Sequence, residues 1–259
     1  MLFRQLFGIG FKLTLYVSCT LLSAGLAISM DAHADEDEDE YFSTWVFEHT
    51  EKYKMTWYYN TRKDFHANQP NRVLVGDKEF LMRPDVRPPT INGIYLLEYS
   101  KVYEGEDVLD MGTGSGLHAV FAAEKANRIV ATDIYPPAVE IAKVNAELHG
   151  VEDKIDFRVG DLFAPIKEGE KFDVFFVNIN FPFSVGDGKR NRLHERLFSE
   201  VRKYMKPNAR IYYQTSFIKN FTYIYDMLSR NQFRIMEMHM EVLNDAKHES
   251  MFFMVQSLI

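Results

Sequence analysis

The chain has 259 residues, of which 46% are hydrophobic and 14% aromatic, and it contains one cysteine. This length and composition allow a buried core and exclude a disordered chain, a fibrous protein or a disulfide-linked scaffold. Residues 1–30 carry a net charge of +2 and residues 31–40 a net charge of -7, which leaves -2 for residues 41–259. We therefore expect no broad surface for nucleic-acid binding.

The N-terminal segment has the pattern of an export signal. Basic residues precede an apolar run over residues 13–30, and Ala32 and Ala34 form an A-x-A cleavage site. We predict that residues 1–34 are a signal peptide, or a membrane anchor if they stay uncleaved, followed by an acidic linker over residues 35–40. Either form would place the body in the periplasm or extracellular space, or at the membrane surface; without this signal the protein would be cytoplasmic.

The body begins with a segment that differs from the rest of the chain. Residues 41–65 are rich in aromatic and charged residues, and their spacing predicts an amphipathic helix. Residues 72–82 predict a β-hairpin with a Gly-Asp turn, and residues 90–103 predict a helix. We assign residues 41–100 to an N-terminal helical and hairpin extension and residues 101–259 to the main domain.

In the main domain, strands and helices alternate. The predicted strands are residues 108–110, 128–132, 154–160, 171–179 and 209–217, and the clearest helices are residues 117–126 and 135–150. This alternation predicts an α/β fold with a doubly wound, mostly parallel sheet. Two strand-like runs, residues 233–244 and 250–259, predict a terminal hairpin that adds one antiparallel strand to this sheet.

Glycines occupy every second position of the turn in VLDMGTGSG, residues 108–116. Gly112, Gly114 and Gly116 would let the backbone turn tightly and approach a ligand that a Cβ atom would exclude. Their spacing differs from the G-x-G-x-x-G of dinucleotide-binding proteins, and Asp110 suits a cationic ligand better than a pyrophosphate. Both features disfavour a nicotinamide-dependent oxidoreductase. By itself, such a turn is equally compatible with a tight strand-to-helix connection.

Two further carboxylates follow the next two predicted strands. Asp133 is placed to accept hydrogen bonds from both ribose hydroxyls of a nucleoside. Asp161 is placed to bind an adenine amino group, while Leu162 packs on the ring. Each aspartate taken alone could be a helix cap or a turn residue. Three acids at successive strand ends favour a nucleotide-like ligand, because the carboxyl ends of parallel strands form the ligand-binding edge of such sheets.

Three segments, VLDMGTGSG, ATDIYPPAVEIAKVNAELHG and GDLFAPI with KFDVFFVNINFPF, resemble the class I S-adenosylmethionine-dependent methyltransferases, especially the small-domain HemK-like branch. The resemblance runs from about residue 70 to residue 259. It implies S-adenosyl-L-methionine as cofactor and a seven-stranded sheet with an antiparallel last strand. It assigns the methionine part of the cofactor to the glycine turn. The cofactor-binding residues implied are Asp110, Gly112, Thr113, Gly114, Gly116, Asp133, Ile134, Asp161, Leu162 and Asn178.

The resemblance places the chemistry after the fourth strand, in NINFPF of residues 178–183. Methyl transfer from a sulfonium is an in-line displacement, so the protein mainly aligns the nucleophile and excludes water. The HemK-like branch has Asn-Pro-Pro-Tyr here, which implies transfer to nitrogen. Matching the proline assigns the catalytic motif to Asn180, Phe181, Pro182 and Phe183, whereas counting from the strand starts it at Asn178. The methyl acceptor stays open among protein, nucleic acid and small molecule.

A non-catalytic sensor of S-adenosylmethionine or S-adenosylhomocysteine is the alternative function. The altered motif favours it, and so does an export signal that would separate the domain from the cytoplasmic supply of the cofactor. His118, at the start of a helix, could act as a general base, although packing is the commoner role of such a residue. No cluster of His, Asp and Glu has convincing metal-ligand spacing, so we expect no metal site.

Overall fold

The structure is a computed structural model that describes residues 12–13, 42–48, 54–60, 71–179, 188–216, 221–243 and 248–258. Its strands are β1 (Lys12–Leu13), β2 (Phe42–Glu48), β3 (Lys54–Asn60), β4 (Arg72–Val75), β5 (Lys78–Leu81), β6 (Asp107–Met111), β7 (Arg128–Asp133), β8 (Ile155–Val159), β9 (Phe172–Val177), β10 (Met205–Ser216), β11 (Phe233–Leu243) and β12 (His248–Ser257). Its α-helices are α1 (Ile91–Tyr99), α2 (Leu117–Ala122), α3 (Pro136–Leu148), α4 (Gly188–Glu200) and α5 (Phe221–Arg230). The chain divides into two compact units, Thr20–Pro165 and Met1–Cys19 with Ile166–Ile259.

A four-stranded antiparallel sheet, in the order β2-β3-β4-β5, precedes the α/β part of the first unit. The predicted hairpin is confirmed, since Val75 and Lys78 are register partners around a turn in which Gly76 has a φ of 60°. The helix predicted over residues 41–65 is wrong where the structure describes this segment. Its aromatic and β-branched residues favour a pleated strand, and Trp45 is the register partner of Trp57.

The first unit continues with three parallel strands, β6, β7 and β8. All five residues of β6 are buried, which is typical of a central strand covered on both faces. Helix α3 begins with two prolines, which are favourable in a first turn, and packs against β5, β7 and β8. Helix α2 ends at Ala122, four residues before the predicted end, and Lys154 Nζ donates to Ala123 O just beyond it (2.7 Å).

The second unit contains β9 to β12 with α4 and α5. Tyr213 on β10 is fully buried between Phe198, whose ring it meets edge-on at 5.2 Å between centroids, and Phe253, on which it stacks at 6.1 Å. The Tyr213 hydroxyl lies 2.9 Å from Nδ1 of buried His194. Burial raises the pKa of Tyr213 well above its ordinary value, so its hydroxyl stays protonated within this hydrogen-bonded part of the core.

The main sheet has the strand order β1-β11-β12-β10-β9-β6-β7-β8. The last strand, β12, is antiparallel to both β10 and β11, whereas β10 is parallel to β9. Apart from the two-residue β1, which pairs with β11, the sheet therefore has seven strands and is mostly parallel. The predicted fold class is confirmed: a doubly wound α/β protein with an antiparallel last strand.

The predicted signal peptide or anchor and the acidic linker lie outside the described residues, except for Lys12 and Leu13 in β1. They remain predictions. Within the part of the chain that the structure describes, no helix is long and apolar enough to cross a membrane.

Candidate functional site

The glycine turn between β6 and α2 has three residues in left-handed conformations. Gly112, Gly114 and Gly116 have φ values of 76°, 56° and 86°, which side chains with a Cβ atom rarely adopt. Gly116 also needs its small size, because a Cβ atom there would lie 3.2 Å from both Cα and Cβ of Ala142 in α3. The turn is therefore shaped by backbone conformation and by close packing on α3.

Asp110 lies beneath this turn and is almost completely buried. Its Oδ2 accepts hydrogen bonds from Thr113 Oγ1 (2.7 Å) and from the Ala119 N–H (3.2 Å). Burial raises the pKa of Asp110 to about 7, and the charge of Asp133 adds to the increase, although the two hydrogen bonds oppose it. A nearby cation would stabilise the charged carboxylate, so this site favours a positively charged group.

His118 is buried next to Asp110 and does not face solvent. Its Nε2 lies 3.2 Å from Gly93 O, and its Nδ1 lies 3.9 Å from Oδ1 of Asp110. Burial lowers the pKa of His118 to about 4, so the imidazole is neutral at pH 7. This buried environment fits the packing role of His118, and it does not fit a general base that must face solvent or a ligand.

Asp133 ends β7 and is hydrogen-bonded to the backbone on both carboxylate oxygens. Oδ2 accepts from the Gly114 N–H (3.1 Å), and Oδ1 accepts from the Tyr135 N–H (2.9 Å). An ionised carboxylate can accept about four hydrogen bonds, so each oxygen can still accept one from a ribose hydroxyl. The carboxylate is thereby oriented by the glycine turn itself, before any ligand arrives.

The residues after Asp133 expose apolar surface at the same strand end. Ile134 is 67% exposed and Tyr135 43% exposed, which is unusual for side chains of this size next to a buried sheet. The Tyr135 hydroxyl donates to Asp85 Oδ2 (3.0 Å), and Asp85 in turn pairs with Arg83 (3.0 Å). An apolar side chain beside an oriented carboxylate fits a nucleoside, whose base is flat and apolar and whose ribose is polar.

The turn after β8 completes this edge of the first unit. The Gly160 N–H donates to Asp133 O (2.9 Å), which ties this turn to the end of β7. Asp161 accepts from the Ala164 N–H through its backbone carbonyl (3.0 Å), and Leu162 is buried with a φ of 48°. A non-glycine residue in this conformation costs on the order of 1–3 kcal/mol, which is typical of ligand-binding turns.

Asn145 supports the glycine turn, and the sequence alone did not reveal it. This α3 residue is completely buried, and its Nδ2 donates to Ser115 O (2.8 Å) in the turn and to Leu81 O (3.0 Å) in β5. Its Oδ1 accepts from the Leu81 N–H (2.7 Å). One side chain thus connects three segments, but the only sequence signal is a polar residue on the apolar side of a predicted helix.

The predicted catalytic motif is described only in part. Asn178 follows directly after β9 and is half-buried. Asn180, Phe181, Pro182 and Phe183 lie outside the described residues, so their assignment remains a prediction. The first unit brings together the predicted cofactor residues from Asp110 to Leu162 on three successive turns, after β6, β7 and β8.

Comparisons with known proteins agree with this architecture. The family model described as Ribosomal protein L11 methyltransferase (PrmA) matches residues 88–181. A protein of Methanocaldococcus jannaschii with the provisional name protein N5-glutamine methyltransferase is 34% identical over 142 residues, covering 48% of this chain and 69% of its own. The release factor glutamine methyltransferase of Koribacter versatilis is 34% identical over 140 residues, covering 50% of this chain and 48% of its own.

The strand order, the glycine turn and the oriented carboxylates together define a class I methyltransferase. The Pyrococcus abyssi tRNA (uracil-54, C5)-methyltransferase, solved with S-adenosyl-L-homocysteine, shares the fold with a TM-score of 0.55 and 20% identity over 76% of this chain and 49% of its own. The chain belongs to the S-adenosylmethionine-dependent methyltransferases of the HemK and PrmA type. S-adenosyl-L-methionine is the cofactor of this family, as the sequence predicted.

Each of these matches covers only part of the relative's length. The chain spans about half the length of the release factor methyltransferase and about a third of the L11 methyltransferase from Caldicellulosiruptor bescii.

Proposed function

We propose that this protein transfers a methyl group from S-adenosyl-L-methionine to a nitrogen atom of a protein, and that a glutamine side-chain amide is the acceptor. The observation that carries this proposal is the 34% identity to the M. jannaschii relative over 69% of that protein's length, because that relative is named for the same acceptor. A predicted catalytic motif that begins with an asparagine, Asn180 or Asn178, supports transfer to a planar amide.

The residues of the first unit would hold the cofactor. Asp133 would accept hydrogen bonds from the ribose hydroxyls, and Ile134 would contact the adenine ring together with Leu162. Asp110 would stabilise the cationic amino group of the methionine part across the glycine turn. When bound, the cofactor supplies a methyl group attached to a sulfonium sulfur. After transfer, this sulfur is the neutral thioether of S-adenosylhomocysteine.

The acceptor side must make an amide nitrogen reactive. This nitrogen is a weak nucleophile because its lone pair is delocalised into the carbonyl. The Asn180 side-chain oxygen and the Phe181 carbonyl would accept hydrogen bonds from its two N–H groups and hold it in line with the methyl carbon. The new N–C bond forms as the C–S bond breaks, and the nitrogen then loses one proton to solvent. Phe183 would stack on the planar amide.

A nucleic-acid acceptor and a non-catalytic function have weaker support. The tRNA methyltransferase neighbour shows a shared fold alone, and the nearly neutral body offers little attraction to a polyphosphate backbone. A non-catalytic sensor is not favoured, because the family model and both relatives above carry methyltransferase names.

Transfer of a labelled methyl group from the cofactor tests the proposal. The full chain is incubated with a peptide library in which glutamine, lysine or neither is present, and incorporation into each is measured. We expect incorporation into glutamine peptides and at least a 100-fold loss in Asn180→Ala, with cofactor affinity nearly unchanged. If Asn178→Ala causes this loss instead, the motif begins two residues earlier. Incorporation into lysine peptides alone would contradict the proposed acceptor.

We also propose that residues 1–34 direct export or anchor the protein in a membrane. The support is the sequence pattern of basic residues, apolar run and A-x-A site. Fusions of alkaline phosphatase and green fluorescent protein after Ala34 report the side of the membrane. An active phosphatase and a dark fluorescent protein are expected, and the reverse pattern would overturn this proposal without affecting the proposed chemistry.

A further inference from the structure

We propose that Gln214 on β10 binds the methyl acceptor, donating a hydrogen bond from Nε2 to the carbonyl oxygen of the acceptor amide. This inference rests on the proposed function and adds a residue to it. Gln214 lies on β10, outside the predicted catalytic motif, and its strand register, burial and hydrogen bonding within the second unit point to this role.

Gln214 lies near the carboxyl end of β10, beside Asn178, which precedes the predicted catalytic motif by two residues. The last register pair between β9 and β10 joins Val177 to Tyr213. Strand β9 ends at Val177, whereas β10 continues to Ser216. Because the two strands are parallel, the next residues along each chain, Asn178 and Gln214, come next to each other at the ligand-binding edge.

These two amide side chains belong to the same face of the sheet. Phe176 and Tyr212 are register partners, and their rings stack with centroids 5.9 Å apart, so both rings lie on one face. Side chains alternate between the two faces of a sheet along a strand, so residues i and i+2 lie on the same face. Asn178 and Gln214 therefore follow this stacked aromatic pair on the same face.

The Gln214 side chain is buried with an unused donor. Gln214 is 4% exposed, and its Nε2 has no hydrogen-bond partner among the described residues. Its register partner on the antiparallel strand is the buried, apolar Phe252. An unsatisfied donor in such surroundings costs about 1–3 kcal/mol. An apolar residue would avoid this cost, which indicates that the donor is kept for a ligand.

The neighbouring polar residues of β10 do not share this property. The Tyr213 hydroxyl is close to Nδ1 of His194 (2.9 Å), and Thr215 is also hydrogen-bonded to Tyr213. Both neighbours of Gln214 thus have partners inside the protein. Of these three neighbouring residues of β10, Gln214 is the one with an unsatisfied donor, and it lies beside Asn178 at the ligand-binding edge of the sheet.

The chemistry of the donor selects a carboxamide. An amide NH₂ group donates hydrogen bonds, so its natural partner is a carbonyl oxygen. Gln214 would therefore bind the oxygen of an acceptor carboxamide. A lysine amine offers no oxygen to Gln214, and the donor would then stay unsatisfied. Gln214 would therefore favour glutamine over lysine as the acceptor.

The decisive variant is Gln214→Met, which keeps a similar side-chain length and removes the donor. We expect the KM for a glutamine peptide to rise at least tenfold, with the affinity for S-adenosylmethionine unchanged within about twofold. The free energy of unfolding should stay the same or increase, because an unsatisfied donor is gone. Gln214→Glu, which places an acceptor beside the carbonyl oxygen, should impair the reaction at least as strongly. An unchanged KM in Gln214→Met would overturn the inference.

A binding measurement separates this inference from the proposed reaction. N-acetyl-L-glutamine methylamide is titrated into ¹⁵N-labelled protein saturated with S-adenosylhomocysteine, and the Gln214 side-chain signal is identified by its loss in Gln214→Met. We expect this signal to shift with the glutamine probe and to stay in place with the matching lysine probe. A Gln214 signal that does not move would overturn the inference even if the enzyme methylates glutamine. A shift without any turnover would instead retain Gln214 as a carboxamide-binding residue and reject the proposed reaction.

Discussion

The cofactor side and the acceptor side of this protein differ in how their polar groups are satisfied. On the cofactor side, both carboxylate oxygens of Asp133 accept backbone hydrogen bonds, and Asp110 accepts a hydrogen bond from the Thr113 hydroxyl. On β10, the amide donor of Gln214 has no partner among the described residues. The first arrangement is complete before ligand binding, and the second is completed by it. A universal cofactor allows a preformed site, whereas the specificity for an acceptor comes from groups that only the correct acceptor satisfies.

Among the tests of the preformed site, we expect the largest effect from Asn145→Ala. This change leaves the Leu81 N–H, the Leu81 carbonyl and the Ser115 carbonyl without their side-chain partner, so the free energy of unfolding should fall by about 3 kcal/mol. Chemical denaturation measures it. Asn127→Ala is the matched control, because the Asn127 side chain donates from Nδ2 to Asp107 Oδ1 (2.9 Å), and losing this hydrogen bond should cost about 1 kcal/mol. Equal losses in both variants would remove Asn145 as a support of the turn.

Asp133→Ala tests whether the carboxylate that the turn orients is also the ribose ligand. Removing a charged acceptor from two hydroxyls should weaken cofactor binding more than tenfold. Calorimetric titration with S-adenosylmethionine measures the change. Asp156→Ala serves as the control, because Asp156 is half-exposed and pairs with Arg158 instead of lying at the ligand edge. An affinity that survives in Asp133→Ala would place the ribose elsewhere.

The pH dependence of cofactor affinity sharpens the role of Asp110. Its pKa in the free protein is about 7, and a bound cationic group would lower it. Below pH 7 the carboxyl must therefore release a proton on binding, so affinity should fall by up to tenfold per pH unit as the pH decreases. His118, with a pKa of about 4, does not titrate in this range. Asp110→Asn should bind more weakly and show a flat profile from about pH 5.5 to about pH 7, below the pKa of the α-amino group of the ligand. A flat profile in the wild type would contradict the assignment.

The smallest effect is expected at Tyr135. Its hydroxyl is hydrogen-bonded to Asp85, but both side chains are exposed to solvent, where such pairs contribute little. In Tyr135→Phe the dissociation constant for the cofactor should change less than about twofold. A large loss would mean that the Tyr135 hydroxyl contacts the ligand directly, and the preformed site would then extend beyond the three strand-end turns.

The sequence allowed a detailed prediction of the cofactor side because the signals there are local. Asp110 and Gly112 to Gly116 lie within one strand and its following turn, and Asp133 ends the next strand. Asn145 escaped notice because its partner Leu81 lies 64 residues away, and no short pattern records that contact. Gln214 escaped notice because a single glutamine within a strand has no sequence signal of unsatisfied hydrogen bonding.

The error over residues 41–65 has a different origin. Aromatic and charged residues in this segment have spacings that fit a helical face, but its many β-branched and aromatic residues also favour strands. The segment forms strands, because β2 pairs with β3 and β3 pairs with β4. Periodicity alone does not include the hydrogen bonds that a neighbouring strand provides, and these determine the structure here.

The most direct measurement is calorimetric titration of the wild-type protein with S-adenosylmethionine, S-adenosylhomocysteine and NAD. The preformed site predicts micromolar binding of the first two ligands and no detectable binding of NAD, because Asp110 favours a cation and repels a pyrophosphate. Absence of binding for both S-adenosyl compounds would mean that the glycine turn has kept its shape without its ligand, which would contradict the assignment of this protein as a working methyltransferase.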